Sequence, residues 1–437
     1  GAAVHRLAVG RGDKPDELCR LDAEEEVVAN VLQREGLRLR VRALVAQVEV
    51  GRGQPAAVGW RRQQPLSGTH GVRMPRGRAC DGIGEPCADL RRDLPHLVAA
   101  EVQMQRGASF VLAVGDGVGP NQITLSRIAI GGLDHRLFID QIPYLGTSLT
   151  HSYNNAYTDS AAAATTWSTG HKTKNRYLSL DPDKEVLETI VEMLHKKGYA
   201  SGIVATSSVT HATPAALYAH TDSRYEYKNI ANQLINSPID IALGGGKELF
   251  DLNKINDTHH VLTAKESLQL NFDYSKKLIG LFDDDGIERS NEKPTQRQMT
   301  NFALQHLNNQ CNGFFLMTEG SQIDWAGHDN DANKMVEEFR DFDLTIKDLI
   351  KFVNKNNNTL LIVTSDHETG GLQILKQDGD KVIIQWGTGR HTSIPVGVQA
   401  YGPGAELFQG LMDNTDIHYK MLEAIDYINL ENQTCDI

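Results

Sequence analysis

Long apolar runs are missing from this 437-residue sequence. Nothing in it approaches the roughly 18–20 uninterrupted apolar residues of a membrane-spanning helix. Cysteine is scarce: Cys19, Cys80, Cys87, Cys311 and Cys435 form no CxxC pair, so a zinc ribbon is excluded. An odd count also rules out complete disulfide pairing. Basic charge is in deficit, with a formal net charge of −12, which speaks against a general nucleic-acid binder and favours solubility. No signal-peptide pattern opens the chain and no Met precedes Gly1, as in a processed or truncated chain. There is also no Gly-x-Ser-x-Gly elbow around the most conspicuous serine, Ser160.

What is present divides at a seam near residue 107. The first 107 residues hold 16 Arg against one Lys, and Asn30 is their only Asn; the remainder holds 8 Arg against 19 Lys. Net charge is +3 before the seam and −15 after it. Residues 22–36 pattern as a short helix and "REGLRLRVRALVAQVEV" briefly alternates like a strand, but residues 51–86 form a long Gly/Pro/Arg run. A structureless stretch of that length counts against membership of a compact domain. Residues 1–107 are therefore expected to be a poorly structured or appended segment, and 108–437 a separate domain. "GRGDKP" (10–15) is too short a motif to carry an adhesion role.

After the seam, apolar strand-like runs alternate with helical patterns. The runs are "SFVLAV" (109–114), "SGIVAT" (201–206), "IDIALGG" (239–245), "GFFLMT" (313–318) and "NTLLIVTS" (358–365). Helical periodicity marks 184–198 and 330–353. This alternation predicts an α/β fold with a mostly parallel central sheet and helices on both faces. Ligands of such sheets bind beyond the carboxyl ends of the strands. Directly after the runs stand Asp116 in "GDGVG", His211 and Thr213 in "SSVTHATPAA", Glu319, Asp324 and His328 in "EGSQIDWAGH", and Asp366 and His367 in "DHETGG". Each alone reads as a turn, a cap or a satisfied polar group. Together they are carboxylate, imidazole and hydroxyl, the donor set of hard and borderline divalent metals. Asp324 and His328 share a helical face.

"TDSAAAATTWSTG" (158–170) reads first as a capped surface helix: Asp159 or Ser160 starts it, alanines fill it and Gly170 stops it. The other reading makes Ser160 a nucleophile at an anion-attracting helix N-terminus. That serine needs an activator, because a hydroxyl attacks nothing at neutral pH without a base or a metal.

In this order Gly-Asp116-Gly, "TDSAA", "ATPAA", "TEGSQIDWAGH", "TSDHETGG" and "GRHTSIPVGVQAYGPGAELFQG" resemble the alkaline phosphatases, over about residues 110–427. The resemblance implies a phosphate-monoester hydrolase working through a phosphoserine on Ser160. It implies two zinc ions, one held by Asp324, His328 and His391 and the other by Asp116, Asp366 and His367, roughly 4 Å apart as in other two-metal sites. A magnesium would share Asp116 and take Thr213 and Glu319. Arg224 in "AHTDSRYEY" matches the phosphate-clamping arginine, whose planar fork suits two phosphoryl oxygens. The zinc beside Ser160 would then be the activator. A homodimer and a periplasmic or secreted location are implied by resemblance alone, as is a substrate range of small phosphate monoesters.

Two positions that vary in that family read His211 and Trp325. An imidazole near magnesium predicts a weaker site than a carboxylate would give. Trp325 removes a charge that could reach phosphate through water. "GGGK" (244–247) lacks the spacing of a phosphate loop and reads as a strand-end turn. Cys311 and Cys435 can pair, though nothing in the sequence requires it. The competing functions are a phosphodiesterase or sulfatase of the same superfamily, and a non-catalytic metal-binding or fusion product with an incomplete fold. The Cys/Ser-x-Pro-x-Arg sulfatase signature is absent at Ser160.

Overall fold

The five apolar runs all become strands of one sheet. A computed structural model describes residues 4–8 and 109–432, apart from 273–275, 309–312 and 379–380. In chain order its strands are β1 (Val4–Ala8), β2 (Ser109–Gly115), β3 (Tyr144–Leu149), β4 (Ala200–Ser208) and β5 (Ile241–Gly245). Next come β6 (His259–Leu262), β7 (Lys277–Leu281), β8 (Phe314–Gly320), β9 (Thr359–Thr364) and β10 (Glu368–Thr369). The last are β11 (Leu372–Asp378), β12 (Lys381–Trp386), β13 (His391–Thr392), β14 (Val396–Tyr401) and β15 (Gly410–Asp413).

Ten of these form the central sheet in the order β15-β3-β14-β9-β2-β8-β4-β5-β7-β6. Every pairing is parallel except those of β14, which runs against both β3 and β9. The four strands β9, β2, β8 and β4 are buried along their whole length. That explains their continuous apolar character: a strand covered on both faces has no polar side to alternate with. Residues of β2 divide between two cores, Phe110, Leu112 and Val114 on one face and Val111 and Ala113 on the other. Helices therefore cover both faces, as the alternation implied.

Two expectations change. The stretch 158–170 is a helix, Ser160–Thr169, capped by Asp159 and closed by Gly170 at φ +74°. It is no surface helix, however: all ten of its residues are buried. The pattern at 184–198 yields a helix only over Ile190–His195. Lys184 sits at φ +73°, Leu180 bridges Val186, and the Thr189–Glu192 capping box sets the true start. Outside the central sheet, β1 pairs antiparallel with β12, which pairs with β11 in a small three-stranded sheet. The helix expected at 330–353 is present as Ala332–Lys355 behind the cap Asp331. "GGGK" is a strand-end turn with Gly246 at φ +92°. Residues 9–108, with the helix, strand and loop readings made there, lie outside the described residues, as do Cys311 and Cys435.

Candidate active site

Each central strand delivers its polar residue at the carboxyl edge. Asp116 follows β2, Thr213 lies in the short helix after β4, Glu319 ends β8, and Asp366 and His367 follow β9. The helix Gln322–His328 carries Asp324 and His328 one turn apart. His391 comes from further along the chain and is brought back by a two-residue ladder, in which β13 pairs Thr369 with His391 and Glu368 with Thr392. Gly117 (φ +74°) lets the Asp116 turn pass close under the helix. A Cβ there would stand 2.9 Å from the Asp324 Cα.

The side chains converge into two adjoining groups. The ligand atoms of Asp116, Asp366 and His367 lie within 4.8 Å of one another, and so do those of Asp324, His367 and His391. His367 Nε2 is 3.0 Å from Asp366 Oδ2 and 3.8 Å from Asp116 Oδ1. Around Asp324, His328 Nε2 lies 3.2 Å from one oxygen and His391 Nε2 3.6 Å from the other; the two nitrogens are 3.1 Å apart. Both imidazoles commit Nδ1 to a backbone carbonyl, His328 to Gly389 and His391 to Thr158, each at 2.9 Å. That fixes the rings with Nε2 turned into the site, the usual orientation of a ligating histidine.

The donor chemistry fits metal ions. Asp116 Oδ1, Asp366 Oδ2, His367 Nε2 and Glu319 Oε2 are buried with no hydrogen-bond partner among the described residues. Such orphaned buried atoms are costly unless a cation meets them. Burial, then repulsion by Asp366, Asp324 and Glu319, pushes Asp116 well above the ordinary carboxylate range. Burial pushes Glu319 up to about 7, against the nearby hydroxyls of Ser321 and Thr213. The hydrogen bond to Asp324 lifts His328 to about 9, while burial and neighbouring His367 lower His391 to about 4. The neighbouring histidines hold Asp324 and Asp366 below the ordinary carboxylate range, whereas Asp116 and Glu319 are held up by burial and by the nearby carboxylates, a strain that positive charge delivered beside them relieves.

Ser160 opens its helix in a buried position, 3% exposed, and its hydroxyl makes no hydrogen bond among the described residues. Its neighbour Asp159 does more than cap. Its carboxylate accepts from the N–H groups of Ala162 and Arg176 and meets Arg224 Nη1 at 3.2 Å. Sequence reasoning stopped at the cap, because nothing local pairs Asp159 with Arg224, 65 residues further along the chain. Thr369 was also missed inside an apparent turn. Its hydroxyl donates to Asp324 Oδ1 and lies 3.3 Å from His367 Nδ1, tying the two groups together. His211 and Trp325 adjoin the site with ring centres 5.5 Å apart.

Side chains that could hold metal ions thus gather at the carboxyl edge of a mostly parallel α/β sheet, where enzymes of this architecture place their active sites. The model of the alkaline phosphatase family matches residues 108–266 and 245–385. Alkaline phosphatase 3 of Bacillus subtilis is 34% identical over 72% of this chain and 88% of its own. The alkaline phosphatase of Escherichia coli is 30% identical over 78% of this chain and 89% of its own. The solved alkaline phosphatase of the Antarctic bacterium TAB5 is 33% identical, with a TM-score of 0.68 over 74% of this chain and 99% of its own; a mutant of it has Mg bound in its M3 site. The chain belongs to the alkaline phosphatase family, and it is an enzyme, a phosphoric monoester hydrolase.

Proposed function

We propose that the chain hydrolyses phosphate monoesters through a phosphoserine on Ser160, using two zinc ions and one magnesium. Asp324, His328 and His391 would hold one zinc; Asp116, Asp366 and His367 would hold the other; Asp116, Thr213 and Glu319 would hold magnesium. The observation that carries this is the set of orphaned donor atoms buried at the carboxyl edge. A magnesium-bound relative supports the metal class. When bound, the ions supply positive charge that lowers the hydroxyl pKa of Ser160 and neutralises the departing oxygen.

The chain's own groups do the rest. Ser160 Oγ forms a bond to phosphorus as the bond from phosphorus to the alcohol oxygen breaks, and its proton passes to solvent. The N-terminal N–H groups of its helix and the Arg224 fork take charge that spreads over the equatorial oxygens. Asp159 holds Arg224 in place through its ion pair. Water then attacks the phosphoserine, releasing phosphate and restoring the hydroxyl. A homodimer and export from the cytosol complete the reading. No helix among the described residues is long and apolar enough to cross a membrane.

The test assays p-nitrophenyl phosphate beside bis(p-nitrophenyl) phosphate, with and without chelator. The reading expects strong preference for the monoester and abolition by chelation, reversed by zinc and magnesium. Preference for the diester assigns the phosphodiesterase alternative instead, and no turnover of either leaves a non-catalytic metal binder.

A further inference from the structure

Beside the clamp lies a cavity of about 230 Å³, lined by Thr210, His211, Tyr227, Glu248, Asp284 and Asp285 among others. Its wall is aromatic. The His211 ring stands 6.3 Å from Tyr227, nearly parallel to it, and 5.5 Å from Trp325, while Tyr225 meets Tyr227 edge-on at 6.4 Å. These rings connect two regions of opposite character. His211 is within electrostatic reach of Arg224 and Asp324, and Tyr227 within reach of both Arg224 and Asp285. One end of the wall therefore faces the phosphate machinery and the other faces carboxylates.

The acidic end is built into the fold. Asp283 anchors the loop by accepting from Glu288 N–H, pairing with Lys293 at 3.2 Å and taking Lys247 N–H on its carbonyl. Ile287 N–H bonds Thr206, and Gln322 Nε2 bonds the Ile287 carbonyl at 2.7 Å. Trp325 seats directly on this loop, since a Cβ at Gly286 would come 2.5 Å from the indole. Glu248, Asp284 and Asp285 have no ion-pair partner among the described residues, and the His211 ring nitrogens have no hydrogen-bond partner there.

We propose that this cavity receives the alcohol portion of the phosphate monoester and favours alcohols that carry an ammonium group. The inference rests on the monoesterase reading. A zwitterionic ester matches the polarity of the site: its phosphoryl end meets Arg224, and its ammonium end meets the Tyr227 ring and the three carboxylates that line the cavity. An alcohol bearing a carboxylate would meet repulsion in the same place.

The experiment compares kcat/KM of the zinc- and magnesium-loaded full chain for 3-aminopropyl phosphate and propyl phosphate, which differ by one ammonium group. Expected is a preference of about three- to tenfold for the amine, shrinking in 0.5 M salt because the contacts are partly exposed. The ratio should fall toward one in Asp284→Asn/Asp285→Asn, and separately in Glu248→Gln, which leaves the anchoring Asp283 untouched. A ratio of one in the unmodified enzyme, or one that all three substitutions leave intact, overturns the subsite while p-nitrophenyl phosphate turnover still upholds the hydrolase reading. Absence of turnover on every monoester overturns both.

Discussion

Replacing Arg224 by Ala isolates the phosphate clamp from the metal ligands. The guanidinium is mostly buried, with its side chain 15% exposed, and Asp159 is the carboxylate it meets at 3.2 Å. Removing it does not orphan Asp159, whose oxygens still accept from Ala162 and Arg176 N–H groups at 3.0–3.1 Å. The helix cap at Ser160 therefore survives, and the loss falls on the bound phosphoryl group. Charge-assisted hydrogen bonds are worth about 1.5–3 kcal/mol, which predicts inorganic phosphate binding weakened by about 10- to 150-fold. Arg224→Lys should recover the charge but not the planar fork, and so fall between the two. The assay is competitive inhibition of p-nitrophenyl phosphate hydrolysis by phosphate, with zinc content measured in parallel. Unchanged phosphate inhibition in Arg224→Ala would refute the clamp.

Three further outcomes are expected. His211→Asp should tighten magnesium, because a carboxylate oxygen suits that ion better than nitrogen does; a magnesium titration of activity that fails to shift, or shifts weaker, removes His211 from that metal's surroundings. Burial raises Asp240 to about 6, so its stabilising contribution is complete below about 3.8 and disappears as pH climbs through 6. Asp240→Asn keeps an acceptor for Ser201 N–H and should gain on the parent by about 2 kcal/mol between pH 4 and pH 8; a pH-independent difference in thermal unfolding contradicts this. If residues 1–107 are an appendage, limited proteolysis should cut first between about 50 and 107 and leave a fragment from near Ser109 that keeps its metals. A protease-resistant segment whose removal abolishes zinc binding would show one integrated domain.

The site was legible because strand ends are legible. A fully buried strand has to be apolar throughout, so Asp116, Glu319 and Asp366 announce themselves where each apolar run stops. Asp324 and His328 were readable as one helical face for the same geometric reason. Pairings that depend on distant chain were not readable. The β1–β12 contact joins segments some 380 residues apart, and nothing local in Val4–Ala8 names its partner. The hairpin of β11 and β12 did carry a signal, Asp378-Gly379 between alternating residues, which went unread. Residues 184–189 carried helical periodicity, but a capping box at Thr189 and the bridge from Leu180 to Val186 overrode it. The double role of Asp159 was invisible because a good N-cap already accounted for it.

The central claim is that Ser160 attacks phosphorus while other side chains hold the metals. The direct measurement is turnover of p-nitrophenyl phosphate by Ser160→Ala, with zinc and magnesium content determined on the same preparation. The account predicts a fall of several orders of magnitude in kcat with metal content unchanged, since none of the proposed ligand groups includes Ser160. Full turnover in that variant would contradict it and remove the phosphoserine from the mechanism.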